Sequence, residues 1–317
     1  MFAILCPGQG AQSPGFLSPW LELPGVGEQL ASLSEVTGID LIAHGTTSDA
    51  ETIKDTAIAQ PLIVAAGLVA AKALLGEQLL AAENPAALVA GHSVGEITAA
   101  ALTGVLSETE AATFVRERAN SMAQAAAVTP TGMSAVVGGD PAEVQAAIAA
   151  AGLTPANMNS AAQTVAAGTL EQLAVLAENP PAKARVIPLQ VAGAFHTSHM
   201  QAAVSVLESL KPQLHPNDPA VTLLSNFDGE PVSNGFTALE SLIAQVSRPV
   251  RWDLCMNKMS ALGVSATIEL APAGTLTGLV KRALPGVASV AVKTPADLEA
   301  ARELMASAAP ADAAKGL

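Results

Sequence analysis

The pentapeptide Gly91-His92-Ser93-Val94-Gly95 sets a serine between two glycines in the G-x-S-x-G spacing, which presents a hydroxyl on a sharp turn between a strand and a helix. The chemistry such a serine offers is nucleophilic attack on an acyl carbon, once a base takes its proton. Five histidines are candidates for that base, namely His44, His92, His196, His199 and His215. His92 adjoins the serine along the chain, but side chains diverge in so tight a turn, and packing or orientation is its expected role. His44 and His215 lie in hydrophilic stretches that suit a solvated imidazole. His196 follows an apolar strand and the small residues Gly193 and Ala194, and is the favoured general base. A hydrolytic triad would add an acid between serine and histidine in chain order. Glu108, Glu117, Asp140 and Glu143 are available, and none has a distinctive setting.

A second group with chemical potential is a cation. In the helical segment 107–126, Arg118 shares a face with Phe114 and Met122, four residues either way, whereas Arg116 aligns with Ala112 and Asn120. Arg118 is therefore expected to point inward, where a guanidinium requires an anion. That anion is either an internal carboxylate or a ligand carboxylate gripped by the planar fork. Gln60, just before Pro61, is a polar group leading into an apolar helix, and is open to a helix-end hydrogen bond or a place in the site. The loop Pro7-Gly8-Gln9-Gly10-Ala11-Gln12 could bring backbone N–H groups to a ligand, although it is neither a dinucleotide fingerprint nor a phosphate loop.

These residues need elements to hold them. Residues 2–6 and 86–90 read as strands, and 26–36, 56–75 (interrupted by Pro61) and 107–126 as helices. Ser48-Asp49-Ala50-Glu51 and Ser107-Glu108-Thr109-Glu110 both have the form of a capping box. From residue 133 the pattern becomes β-α-β-β-α-β, with strands at 133–137, 155–159, 164–167 and 184–191 and helices opened by Asp140 and Thr169. That order is ferredoxin-like and predicts a small subdomain at residues 127–193, inserted into a large α/β-hydrolase-like domain with a parallel sheet, residues 1–126 and 194–317. His196 then lies at the junction, where clefts form. Beyond it, helices at 198–210, 238–246, from 252, and up to 282 alternate with strands at 221–225, 266–270 and 288–292. The tail from 306 reads as frayed.

Composition narrows the class. Half of the 317 residues are apolar, only 3% are aromatic and tyrosine is absent, so small side chains must fill a sizeable core. A net charge of −13 argues against nucleic acid as a partner. Arg248, Arg251, Lys281 and Arg282 form a small basic group suited to an acidic partner or, more simply, to solvent. Cys6 and Cys255 lack the spacing of a metal site or redox pair and read as reduced thiols. The first residues suit a strand better than a signal peptide, and the apolar run 62–71 is too short to span a bilayer, so a cytoplasmic protein without membrane attachment is expected.

Taken together, Gly8-Gln9-Gly10-Ala11-Gln12, Gln60-Pro61, Gly91-His92-Ser93-Val94-Gly95-Glu96, Arg118, Asn157-Met158-Asn159-Ser160, Gly193-Ala194-Phe195-His196 and Pro249-Val250-Arg251-Trp252 resemble, in order and over nearly the whole chain, the malonyl-CoA:acyl carrier protein transacylases. The resemblance implies a ping-pong acyltransferase of fatty-acid biosynthesis, with Ser93 as nucleophile, His196 as base, and the backbone N–H groups of Gln9 and Val94 as oxyanion hole. It also implies that Arg118 holds the malonyl carboxylate, that the carbonyl of Gln245 stands where a triad has its acid, and that Gln60, His92, Asn157, Asn159 and Phe195 contact substrate. Phe195 would crowd the C2 position of a methylmalonyl group, or else is a core aromatic. Malonyl-CoA and an acyl carrier protein are the implied partners, a monomer is expected, and no cofactor or metal is called for, since phosphopantetheine comes with the carrier. The alternatives are an acyltransferase of polyketide synthesis or malonate decarboxylation and, in another class, a serine thioesterase or esterase. The sequence departs from the family pattern at Ala161-Ala162, where Pro-Gly is common, and at Ala271-Pro272-Ala273, where Gly-Pro-Gly is common.

Overall fold

Phe2–Cys6 is buried at all five positions and forms β1, the strand from which the larger sheet extends in both directions. The computed structural model describes residues 1–76, 87–191 and 193–308. After β1 come α1 (Val26–Thr37), α2 (Leu41–Thr46), α3 (Thr56–Leu75), β2 (Ala87–Gly91), α4 (Gly95–Leu102) and α5 (Glu108–Val128). A second set follows: β3 (Thr131–Gly138), α6 (Pro141–Ala150), β4 (Thr154–Ser160), β5 (Gln163–Thr169), α7 (Leu170–Glu178) and β6 (Ala184–Pro188). The chain ends with α8 (Gln201–Leu210), β7 (Thr222–Leu224), β8 (Pro231–Val232), α9 (Gly235–Gln245), α10 (Trp252–Ala261), β9 (Ala266–Glu269), α11 (Thr275–Ala283), β10 (Ala288–Ala291) and α12 (Leu298–Ala308).

The strands form a mixed α/β architecture of two sheets. One has the order β10-β9-β1-β2-β7-β8, parallel except for the short edge strand β8. The other is antiparallel with order β4-β5-β3-β6, and its helices α6 and α7 close a separate small core around Val136, Val144, Ile148 and Leu173. Strand order and connectivity are those of a ferredoxin-like unit. The two units are stitched together where Met158 N–H donates to the Val250 carbonyl and Val250 N–H to that of Ala156, both at 2.9 Å, so the loop before α10 lies alongside β4.

Several local expectations change. Pro61 does not interrupt its helix: α3 runs unbroken for 20 residues, since contacts with α1, α2, α4 and α5 outweigh one missing backbone hydrogen bond. That length suffices to cross a membrane, but 78% of the apolar window is buried inside the protein, as in a core helix. Ser48 caps nothing; Asp49 instead takes the Thr52 N–H at 2.8 Å, and Asp55 caps α3 through the Ala57 N–H. The strand expected to reach residue 191 ends at Pro188, which has no N–H to donate, and the chain leaves the sheet after Leu189 N–H bonds the Met133 carbonyl. The segment around 306 is helical to Ala308. Residues 77–86, 192 and 309–317, including Ala86 of the expected strand, Ala192 of the junction and the rest of the tail, lie outside the described residues.

Candidate active site

The turn after β2 is built for small residues. A Cβ on Gly91 would meet the Gly95 carbonyl carbon at 2.1 Å, and one on Gly95 would meet the Cys6 carbonyl oxygen at 2.1 Å, so both glycines are obligatory. The crowding holds Ser93 at φ +54°, a left-handed conformation that a side-chain-bearing residue adopts only where its surroundings enforce it. Its N–H is held by Asn226 Oδ1 at 2.8 Å, and Asn226 Nδ2 in turn donates to the Gly91 carbonyl at 2.6 Å. The Ser93 N–H is thus spoken for. Those of Gln9 and Val94, which border the same cleft, have no acceptor among the described residues, and Val94 opens α4, whose N-terminal end favours negative charge.

His196 is also in the left-handed region, at φ +62°, and is fixed by its N–H to the Val246 carbonyl at 3.1 Å. Its Nδ1 lies 2.8 Å from the Gln245 carbonyl oxygen, which can only accept, so Nδ1 carries the proton and Nε2 offers its lone pair to Ser93 Oγ at 2.7 Å. Burial and the positive charge of Arg118 push the imidazole down to about 3, against the opposing effect of the hydrogen bond that Nδ1 donates to the Gln245 carbonyl. At neutral pH it is a neutral base.

Arg118, 1% exposed, reaches inward from α5, whose start is fixed by the Ser107–Glu110 capping box. One Nη donates to Gln60 Oε1; the other donates to Gln245 Oε1 at 2.8 Å and lies 3.3 Å from Ser93 Oγ. Gln245 Nε2 donates to the Ser93 carbonyl at 2.9 Å and to Glu96 Oε2. Burial lowers Arg118 to about 10, partly offset by the charge of Glu96, and the guanidinium stays protonated. The sequence left two anions open for Arg118. Among the described residues, an internal carboxylate, Glu96, reaches Arg118 at one remove, through Gln245, and part of the fork faces the cleft.

That cleft, about 420 Å³, is also lined by Gln9, Gln60, His92, Val94, Asn157, Asn159 and Phe195, with Met122, Met133 and Leu189 adding apolar wall. Gln60 sits within α3, its Nε2 3.5 Å from Met122 Sδ. His92 diverges from the serine: Nε2 pairs with Asn159 Oδ1 at 2.8 Å and the ring meets Trp252 edge-on, while burial lowers its basicity. Two other histidines stand apart, His44 against Ser48 and His215 near Glu110. Arg251 is paired with Asp253, Arg248 lies over the Phe227 ring, and only Arg282 of the basic group borders the cleft. Cys6 and Cys255 are buried free thiols with raised pKa, too desolvated to react. Glu96 and Asn226 are additions that the sequence does not announce. Glu96 follows the serine motif and could be suspected there as a buried acid; Asn226, at a strand end, carries no sequence signal.

The chain matches the family described as acyl transferase domain over residues 4–298. It is 50% identical over 299 residues to a malonyl CoA-acyl carrier protein transacylase of Mycobacterium tuberculosis, covering 94% of this chain and 98% of the relative. The crystal structure of MCAT from Mycobacterium tuberculosis superposes with a TM-score of 0.91 at 49% identity, covering 95% of this chain and 99% of that one. A complex of a type II PKS acyl-carrier protein with its malonyl-transacylase, 28% identical, gives 0.86 over 95% and 99%.

Proposed function

We propose that this chain, which belongs to the acyl transferase family, moves the malonyl group of malonyl-CoA to the phosphopantetheine thiol of an acyl carrier protein, as a step of fatty-acid biosynthesis. The observation that carries the reading is the buried Arg118 guanidinium 3.3 Å from Ser93 Oγ, beside a neutral His196. A malonyl group differs from an acetyl group by a terminal carboxylate, and a buried cation discriminates strongly between the two, because without an anion it stays poorly compensated.

The distances within the site support the following steps. Ser93 Oγ attacks the thioester carbon as His196 Nε2 takes its proton, and the charge on the tetrahedral oxygen is received by the N–H groups of Gln9 and Val94. The Gln245 carbonyl keeps Nδ1 protonated and stabilises the transient imidazolium. Collapse breaks the C–S bond, and the coenzyme A thiolate takes the proton from Nε2. In the second half the carrier thiol gives its proton to His196 Nε2 and attacks the malonyl ester carbon; as the new C–S bond forms the Ser93 Oγ–C bond breaks, and Oγ takes the proton back from Nε2. Asn157, Asn159 and Phe195 line the acyl and thioester path, and Phe195 crowds C2 against a methyl branch. The reading places the protein in the cytoplasm, and the free thiols Cys6 and Cys255 suit a reducing compartment.

Intact-mass measurement after mixing with malonyl-, methylmalonyl- or acetyl-CoA tests the nucleophile and the acyl preference together. The wild type is expected to gain one malonyl mass, to react poorly with the other donors, and to gain nothing as Ser93→Ala. Malonylation of the Ser93→Ala variant would exclude Ser93.

A further inference from the structure

Glu96 has no part in the transfer steps, yet it is 5% exposed and its two oxygens are held by the residues that hold the catalytic groups. Oε1 accepts the Asn226 N–H at 2.6 Å, and Oε2 accepts Gln245 Nε2. Asn226 fixes the Ser93 N–H and the Gly91 carbonyl. Gln245 fixes three things: His196 with its backbone carbonyl, the Ser93 carbonyl with Nε2 and Arg118 with Oε1. A carboxamide can be flipped, and here the carboxylate decides its sense, because Nε2 must face the anion and Oε1 the guanidinium. We propose that Glu96 is a positioning residue of the transfer reaction, acting as the resident counter-anion of Arg118 through the Gln245 carboxamide and locking both that residue and, through Asn226, the nucleophile turn.

The relay explains how one arginine is compensated in the empty site and still available to a donor. A direct Glu–Arg pair would occupy the fork; interposing Gln245 uses one N–H and leaves others for the malonyl carboxylate. The inference rests on the reading of Ser93 as malonyl acceptor.

Among the described residues, three ionisable groups face Glu96: Arg118 from α5, Asp228 beyond β7 and Cys255 of α10. Burial lifts Glu96 to about 7, opposed by the hydrogen bonds from Asn226 and Gln245 and by Arg118. His196 is held to about 3 and does not titrate in the neutral range. The Glu96–Gln245–Arg118 contacts predict that kcat/KM for malonyl-CoA has an acid limb dependent on Glu96, with activity rising as the carboxylate forms.

The test is the pH profile of kcat and KM for wild type, Glu96→Gln and Gln245→Met, after wild-type Ser93 has been shown to malonylate. Glu96→Gln is expected to lower kcat about a hundredfold with a smaller change in KM, the scale of a misplaced reacting group, and to erase the neutral limb. Gln245→Met keeps the backbone carbonyl but removes the relay; it should reproduce the loss, and the double variant should fall little further. Retention of the limb and of kcat within about twofold in Glu96→Gln overturns the proposal. If that variant does not fold, an unmoved limb and wild-type kcat in Gln245→Met do so. Failure of the wild type to malonylate would instead overturn the functional reading beneath it.

Discussion

Arg118 carries a charge that water barely reaches, and its neighbours are arranged around that fact. Gln60, Gln245 and, behind Gln245, Glu96 share the compensation, and none neutralises the fork outright. Arg118→Ala is expected to reduce kcat/KM for malonyl-CoA by about two to three orders of magnitude, the scale of one lost buried ion contact. Acetyl-CoA should lose far less, so steady-state comparison of the two donors isolates the carboxylate contact; equal losses would remove it. At this scale the sequence is readable where a side chain acts. Ser93, His196 and Arg118 stand out by motif, junction and helical spacing. The Gln245 carbonyl does not, because every residue has one, and neither does Asn226, whose role depends on β7 ending beside β2.

The turn between β2 and α4 depends on two elements approaching closely, with Gly95 against the carbonyl end of β1. Gly95→Ala should therefore cost about 1–3 kcal/mol of stability from overpacking and abolish Ser93 acylation, read by thermal unfolding and intact mass; wild-type values for both would refute the close-approach argument. Element boundaries are legible where local chemistry sets them, as with the Ser107 and Thr169 capping boxes and the Asp140 cap. They are illegible where packing overrides a local signal, as with Pro61 inside α3. The short α2 and β8 lack the length to show a period, and Pro188 ends β6 earlier than its apolar run suggests.

On the scale of the molecule, the parallel sheet presents the nucleophile and the ferredoxin-like unit returns the chain at the base, so the cleft exists only when both are folded. Its buried ionisable groups tie folding to pH. The native state keeps His196 neutral to about 3, whereas the unfolded chain takes up a proton below about 6.5; this contribution is present above 6.5 and lost as pH falls toward 3. Glu96 acts oppositely, its contribution being present below about 4.5 and lost as pH rises through 7. Denaturant unfolding of wild type and His196→Asn between these limits should show the variant losing less stability on acidification; parallel curves would contradict the buried neutral base. The β-α-β-β-α-β order of the second sheet is visible in the sequence because it survives as local pattern, whereas the register joining Val250 to β4 is a contact between distant segments that no local pattern encodes. The central claim is transfer, and a single-turnover chase tests it most directly. Malonyl-enzyme, isolated and divided between buffer alone and buffer containing holo acyl carrier protein, should persist in the first and pass its malonyl group to the carrier thiol in the second. Equal release as free malonate in both would mark the protein as a hydrolase and contradict the account.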